Sequence, residues 1–218
     1  MRALVTGATG RVGGAIAAGL REDGWSVVGA GSADGDLAAA GDARALVERA
    51  VAELGGLDLV VNAAGGGWKV QPLEQVSEAD WDAAFGATAK GTFFVSQAAA
   101  PHLRASRGLL VNIEDVAAFL PWTNLAPHAA AKAAQAHLTK IFARALAPEV
   151  RVCGIAPGPV AVPEEHAEGR AARTLLRRVG SPDDIVKAVR FLIANDFVTG
   201  TSLVVDGGRM LKTVPPEA

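Results

Sequence analysis

Short apolar runs alternate along the chain with longer segments in which apolar residues recur at helical spacing. Six of the runs are predicted to be β-strands, at residues 2–5, 25–30, 58–62, 108–113, 151–156 and 201–206. Several are apolar throughout, which is typical of parallel strands buried on both faces. Because helical segments separate the strands, the pattern predicts an α/β fold with a doubly wound parallel sheet.

Capping residues indicate where helices begin. Ser77 begins a helix that continues with interruptions to about residue 105, and Ser181-Pro182, followed by two acids, begins another. Further helices are predicted at about 11–23, at 42–54 and from residue 127 onward. The second strand gives way to residues 31–37, with hardly room for a helix before the next helical pattern at 42–54, so we expect one shortened crossover and a thinner sheet edge there.

Length and composition favour one domain. With 218 residues, 50% of them hydrophobic and 20% charged, the chain can bury a substantial core. We expect a single domain over residues 1–211 and a C-terminal tail over 212–218. Residues 159–178 contain few strongly apolar positions and are predicted to form a mobile lid.

Charge and cysteine usage argue against several classes of protein. The net charge is −2 with scattered Lys and Arg, so neither a nucleic acid nor a membrane is expected as a partner. The sequence shows no secretion signal and no apolar run of about 18 residues, so we expect a soluble, cytoplasmic protein. Cys153 is expected to be a buried hydrophobe, and the histidines form no metal-ligand spacing, so no metal site is predicted.

A glycine-rich turn follows the first strand and precedes a helix. Its sequence is Thr6-Gly7-Ala8-Thr9-Gly10-Arg11-Val12-Gly13. Glycines let the backbone approach a pyrophosphate, and the N-terminus of the helix offers N–H groups to its charge. This order of elements favours nucleotide binding over a plain tight turn, with contacts at Gly7, Thr9, Gly10, Arg11, Val12 and Gly13.

Polar side chains also follow the strand at 108–113. Asp115 lies just past its carboxyl end, and His128 and Lys132, four residues apart, share one face of the next helix. Ligands of open parallel α/β sheets bind at the carboxyl ends of the strands. A carboxylate, an imidazole and an ammonium are therefore predicted to converge at this edge.

Taken together, these motifs resemble the short-chain dehydrogenase/reductase family over nearly the whole chain. Besides the glycine-rich turn, the resemblance rests on Asn62-Ala63-Ala64-Gly65, Lys132, Pro157-Gly158 and Val205-Asp206-Gly207-Gly208. It implies a Rossmann-type fold that binds a nicotinamide dinucleotide, hydride transfer to or from a carbonyl or an imine of a small molecule, and a homotetramer or dimer built on the long helices. It also implies cofactor contacts at Asn62, Ala63, Ala64, Gly65, Lys132, Pro157, Gly158 and Val160.

The candidate catalytic residues differ from the family pattern. The chain contains no Tyr, and His128 occupies the place of the proton-donating Tyr, four residues before Lys132. Asp115 stands where the family has Ser, and Thr88 stands where it has Asn, so these four residues are the predicted catalytic set. The chain is also similar to the pteridine reductases, which have Asp and Arg at the positions of Asp115 and Arg11; this implies a flat, pterin-like substrate.

The residue that donates the proton is left open by the sequence. His128 is one candidate, since an unperturbed imidazole titrates near ~6.5 and Asp115 would stabilise its protonated form against the charge of Lys132. Asp115 could instead protonate a substrate nitrogen, with His128 as a relay. A third reading is that His128 only caps or packs the start of its helix.

The end of the second strand bears on the choice of cofactor. An acid there would bind the ribose hydroxyl of NAD and an Arg the phosphate of NADP, but the strand ends Val28-Gly29-Ala30-Gly31-Ser32. Arg11 and Ser32 slightly favour NADP(H) over NAD(H). The family resemblance places Asp36 and Leu37 near the adenine, although Asp36 could equally be a loop carboxylate.

Residues that could contact the substrate follow other strand ends. Trp68 and Trp122 could stack on a flat substrate or serve as core or interface anchors. Arg170, Arg173 and Arg177 are expected to share a helical face in the lid, either meeting an anionic substrate or simply facing solvent.

Three functions compete at this point. The leading interpretation is an NAD(P)-dependent short-chain reductase acting on a small carbonyl or pterin-like substrate. The alternative is a catalytically degenerate dinucleotide-binding protein that acts as a sensor or assembly partner. A nucleotide-sugar epimerase or dehydratase, suggested by the spacing of Gly7, Gly10 and Gly13, ranks last because the chain is short for it.

Overall fold

The computed structural model describes residues 1–212 of the chain. Its strands are β1 Arg2–Thr6, β2 Ser26–Ala30, β3 Leu59–Asn62, β4 Leu109–Ile113, β5 Arg151–Pro157 and β6 Ser202–Val205. These described strands form one parallel sheet in the order β2-β1-β3-β4-β5-β6. Every predicted strand is present with its ends within one residue of the prediction, and the predicted α/β fold is confirmed.

Helices cover both faces of the sheet. They are α1 Arg11–Glu22, α2 Ala40–Leu54, α3 Glu78–Phe85, α4 Gly91–Ser106, α5 Ala126–Leu146, α6 Glu164–Ala171 and α7 Pro182–Ala194. One hydrophobic core joins the sheet to α1 and α7, and a second joins it to α2, α4 and α5. Alternate residues of β3 supply the two cores, with Leu59 and Val61 in the first and Val60 in the second.

The crossover between β2 and β3 is short, as predicted. After β2 the chain makes one 3₁₀ turn, Ser32–Asp34, before α2 leads directly to β3. Among the described strands β2 pairs only with β1, so it forms an edge of the sheet. A loop over residues 31–39, rather than a further strand, therefore borders this side of the sheet's carboxyl edge.

The interrupted helix predicted from Ser77 is two helices joined by a π turn. The Asp80 N–H donates to Ser77 Oγ over 3.2 Å, and the Asp80 carboxylate accepts the Ser77 N–H, so the predicted cap is present. A π turn at Gly86–Lys90 connects α3 to α4. The wider turn contains Thr88, whose side chain is fully buried.

Three further expectations concern residues 159–178, the C-terminal tail and Cys153. Residues 159–178 include α6, which has no buried residue, and their role as a lid stays a prediction. The predicted tail lies outside the described residues from 213 onward. Cys153 is buried, and burial raises the pKa of its thiol to about 11. Within residues 1–212 no helix has the length and apolarity needed to cross a membrane, and no three His, Cys, Asp or Glu side chains cluster as metal ligands.

Candidate active site

The glycine-rich turn packs tightly against the end of β3. Gly7 has φ +67°, and a Cβ added there would lie 2.7 Å from the Ala63 carbonyl oxygen. Thr6 Oγ1 accepts hydrogen bonds from the Ala63 and Ala64 N–H groups, each over 3.2 Å. The turn and the following strand end are thereby held at a fixed separation. Above them, the first N–H groups of α1 have no acceptor within their own helix.

A cavity of about 420 Å³ opens beside this turn. Nine of the predicted cofactor residues line it, namely Gly7, Thr9, Gly10, Ser32, Asp36, Leu37, Ala63, Ala64 and Gly65, and Gly31 lies beside them in the same wall. They come from the turn after β1, the loop after β2 and the end of β3. Its backbone-rich lining fits the phosphates and adenosine of a dinucleotide, since phosphates bind to main-chain N–H groups.

Asn62 and Arg11, which were also predicted to bind the cofactor, do not line this cavity. The Asn62 side chain is buried and donates from Nδ2 to Ser96 Oγ over 3.0 Å and to Asn112 Oδ1 over 2.9 Å, so it ties β3 to β4 and α4. Arg11 donates from Nη1 to the Ala161 carbonyl oxygen over 2.5 Å and does not line the cavity that contains Ser32. The argument that Arg11 lies beside the adenine ribose therefore has no geometric support.

The segment after β5 lies near the start of α1. Gly158 donates its N–H to the Val205 carbonyl, and a Cβ there would lie 2.7 Å from Asp206 Cα, so Pro157-Gly158 sits against the end of β6. Val160 forms a bridge with Gly180 and precedes the carbonyl that Arg11 contacts. The glycine turn and the 160 region are thus adjacent. Val12 is partly buried and Gly13 fully so, Gly13 packing on the Gly7 carbonyl.

Lys132 is buried at the carboxyl end of β4. Its Nζ donates to the Ile113 carbonyl oxygen over 2.8 Å and to Gln135 Oε1 over 2.9 Å. Burial lowers the pKa of Lys132 to about 8, against the opposing effect of the Asp115 and Glu114 carboxylates. An ammonium has three donors, so one remains for a ligand.

His128 and Asp115 meet as predicted. His128 Nε2 lies 3.4 Å from Asp115 Oδ2, while Asp115 Oδ1 accepts the Ala117 N–H over 2.7 Å. The imidazole is only 7% exposed, and its Nδ1 has no hydrogen-bond partner within the described part of the chain. A buried polar atom without a hydrogen bond costs free energy, so such an atom is a candidate for contact with a ligand.

Thr88 lies close to both Lys132 and the end of β3. Its Oγ1 accepts the Gly66 N–H over 3.4 Å. A Cβ added to Gly65 would lie 3.5 Å from Thr88 Oγ1 and 3.8 Å from Lys132 Nζ. Glycine at 65 therefore leaves open a small space that borders the hydroxyl and the ammonium together.

Aromatic rings cover the imidazole. The Trp68 and His128 ring centroids are 4.8 Å apart in an edge-on arrangement, and Trp68 is 6.5 Å from Trp122 in a similar one. Trp68 is half exposed, so it is not a simple core anchor. Of the predicted substrate residues, Trp68 thus contacts the candidate proton donor, and Trp122 contacts Trp68.

Sequence reasoning missed the residues that hold Lys132 and Glu114 in place. Gln135 accepts from Lys132 and donates to Thr92 Oγ1 over 2.8 Å; its position three residues after Lys132 on the same helix was the available signal. Glu114, the residue before Asp115, is buried, and Thr139 Oγ1 donates to it over 2.7 Å. Burial raises the pKa of Glu114 above its usual range.

Comparison with known proteins identifies the family. Residues 28–209 match the family model described as Enoyl-(Acyl carrier protein) reductase. The chain is also 33% identical, over an alignment of 238 residues, to the 2-dehydro-3-deoxy-D-gluconate 5-dehydrogenase of Escherichia coli (strain K12), with 94% of each chain covered. The chain belongs to the short-chain dehydrogenase/reductase family.

Solved structures similar to this short-chain dehydrogenase/reductase agree on the fold. A 3-ketoacyl-(acyl-carrier-protein) reductase from Brucella melitensis, complexed with NADH, superposes with TM-score 0.89 at 28% identity and covers 95% of this chain and 97% of its own. A gluconate 5-dehydrogenase from Burkholderia cenocepacia, in complex with NADP and tartrate, gives 0.86 at 29% identity with 97% and 96% covered. Those two neighbours hold different nicotinamide dinucleotides.

Proposed function

We propose that this short-chain dehydrogenase/reductase is an NAD(P)-dependent enzyme that interconverts a small carbonyl compound and its alcohol, with His128 as the proton donor. The observation that carries the proposal is the contact between His128 and Asp115 one helical turn from Lys132, beside the glycine-lined cavity. A bound nicotinamide dinucleotide would supply or accept the hydride. The residues of the chain would bind it, orient the substrate and move the proton.

Lys132 has the geometry to bind a ribose hydroxyl. Two of its three N–H donors are fixed by Ile113 and Gln135, so the third has a defined direction. The space beside Gly65 lies within reach of Nζ. We assign Lys132 to holding the nicotinamide ribose and Thr88 to the wall of the same space.

Asp115 would prepare His128 for proton transfer. A carboxylate beside one ring nitrogen fixes the tautomer and stabilises the protonated ring, so that the other nitrogen exchanges the proton with the substrate. With Nε2 facing Asp115, the exchanging atom is Nδ1, which lacks a partner among residues 1–212. The alternative assignment, proton donation by Asp115 itself, requires its Oδ2 to face the substrate.

The test compares NAD(P)H consumption by the wild type with that of His128→Ala and Asp115→Ala on a panel of aldehydes, ketones and dihydropterins. We expect His128→Ala to lower kcat by about 100-fold or more, as removal of a general acid does. His137→Ala, which changes an exposed histidine of the same helix, is the matched control and should retain full activity. Full activity in both test variants would remove the assignment.

The panel also decides the substrate class. Turnover confined to dihydropterins would support the pterin-like substrate, which rests on Asp115 and Arg11. Turnover of simple carbonyls alone would favour the broader class.

A non-catalytic dinucleotide-binding protein is the second candidate. The Trp68 ring lies against His128, and the imidazole is almost fully covered, as expected if no substrate had to reach it. Calorimetry with NADPH and NADH separates the two: binding without turnover on any member of the panel would favour this candidate.

We further propose a preference for NADP(H). Ser32 lines the cavity at the end of β2, where Asp34 is already occupied in accepting the Gly31 N–H and pairing with Arg49. Ser32→Asp should raise the Kd for NADPH about tenfold or more by charge repulsion, while the Kd for NADH changes little. Ser32→Asn is the uncharged control. Tighter binding of NADH than NADPH by the wild type would contradict the preference.

A further inference from the structure

We infer that the substrate carries a carboxylate, held by a basic cavity next to the Trp68 and Trp122 rings; this rests on the proposed function and names its substrate class. The cavity has a volume of about 970 Å³ and lies between the loop at 120–125 and the segment containing α6. This cavity is a different one from the glycine-lined cavity.

The charge of this cavity is mainly positive. Among residues 1–212, the cationic side chains that line it are Arg170, Arg173, Arg209 and Lys212, together with His166 and the acid Glu165. The excess of cations over acids in a concave site attracts an anion and repels a cation. The whole chain has a net charge of −2, so this local excess is not a reflection of its composition.

The cationic side chains differ in how they are held. The Arg209 guanidinium lies 5.7 Å from the centre of the Trp122 ring, and Lys212 Nζ donates to the Ala172 carbonyl. The Arg170 side chain makes no hydrogen bond or ion pair with the residues that the structure describes, although it is only partly exposed. Arg170 is therefore the cation that an incoming carboxylate can pair with through two parallel N–H donors.

The position where α6 ends explains which arginines line the cavity. The three arginines were expected to share a helical face, but α6 ends at Ala171, and that expectation is wrong. Arg170 lies in the last helical turn and Arg173 in the turn that follows, and both line the cavity. Arg177 has φ +55°, is exposed and does not line it.

The cavity connects to the candidate proton donor through the two tryptophans. Trp122 belongs to its wall, Trp68 contacts Trp122, and His128 contacts Trp68. A substrate with its carboxylate beside Arg170 and its reacting carbonyl beside His128 would therefore pass both rings, Trp122 first and Trp68 second. The two indole planes are 86° apart, so a flat spacer such as a benzene ring would stack on one of them.

The experiment measures NAD(P)H-dependent reduction of 4-carboxybenzaldehyde, its methyl ester and benzaldehyde by the wild type, Arg170→Gln and Arg177→Gln. We expect Arg170→Gln to raise KM for the carboxylated aldehyde about tenfold or more, from loss of a charge-assisted pair, with kcat and both neutral substrates unchanged. Arg177→Gln removes the same charge nearby and should leave all three substrates unaffected.

A second measurement keeps the two proposals apart. Calorimetry records 4-carboxybenzaldehyde binding to the protein with NADP⁺ present. Turnover of the neutral aldehydes without preference for the carboxylate, or equal effects of both arginine variants, would overturn this inference and leave the proposed function intact. Cofactor binding with no turnover of any member of the aldehyde, ketone and dihydropterin panel, but with carboxylate binding that Arg170→Gln weakens, would support the basic site and remove the enzymatic proposal. Absence of both carboxylate binding and carboxylate preference overturns the inference in every case.

Discussion

Burial of a single ammonium links the candidate site to the stability of the protein. Because the pKa of Lys132 is about 8 in the folded chain and 10.5 ordinarily, the unfolded chain binds more protons between these values. The contribution of this group to the unfolding free energy therefore rises as the pH increases from 8 to 10.5. We expect the wild type to gain up to ~3 kcal/mol over that range relative to Lys132→Met.

Urea unfolding at pH 7, 8, 9 and 10 measures the difference between the two proteins. Comparing them cancels the titration of groups that do not interact with Lys132. A difference that is constant with pH would mean that the Lys132 ammonium is not significantly desolvated.

For single residues, the sequence predicted which side chains lie near each other better than which hydrogen bonds they make. The meeting of His128 and Asp115 followed from the strand end and the helix start, which fix the two backbones. Arg11 could not be placed in this way, because its long side chain reaches a carbonyl 150 residues away. The partners of Lys132 are likewise set by packing of α5 on the sheet.

Among the elements, α7 depends on one carboxylate at its N-terminus. Asp184 accepts the Ser181 N–H over 2.9 Å and the Arg178 Nη1–H over 2.8 Å, and the Arg178 hydrogen bond is the main reason that the pKa of Asp184 falls to about 2. Its pKa is below the ordinary 3.8, so the stabilisation is present above about pH 4 and lost as the pH falls to 2.

Asp184→Asn should therefore lower the free energy of unfolding at pH 7 by ~1 kcal/mol, and the deficit should disappear near pH 2. Chemical denaturation at the two pH values checks this. Asp183→Asn is the matched control, because Asp183 pairs only with the exposed Lys187 in the described structure and should have a smaller effect. Equal deficits for the two variants at pH 7 would rule out the capping role.

Elements buried on both faces were predicted accurately, whereas polar ones were not. The strands were located to within one residue because their apolar runs are required by two cores. Helix α6 buries no residue, so no periodic signal marked it. The π turn at Gly86–Lys90 was visible only as an interruption, since a one-residue change of helical pitch leaves no specific pattern.

For the whole molecule, the family resemblance implies an oligomer built on the long helices, which stays a prediction. The α5 residue Ile141 is 46% exposed, as an interface residue would be in a separate chain. We expect light scattering to give a two- or fourfold multiple of 22.2 kDa for the wild type and a lower mass for Ile141→Glu. Ile141→Leu should keep the wild-type mass. A monomeric wild type would contradict the expectation.

The loop after β2 borders the glycine-lined cavity on the side of Ser32, Asp36 and Leu37. Its shape is kept by short-range hydrogen bonds, such as Asp42 Oδ2 accepting the Asp36 N–H and Asp36 Oδ1 accepting the Ala38 N–H. Opening such a loop disrupts far fewer contacts than detaching a sheet strand. A dinucleotide could therefore leave sideways at the loop, so its residence time, more than its equilibrium affinity, should reflect the short crossover.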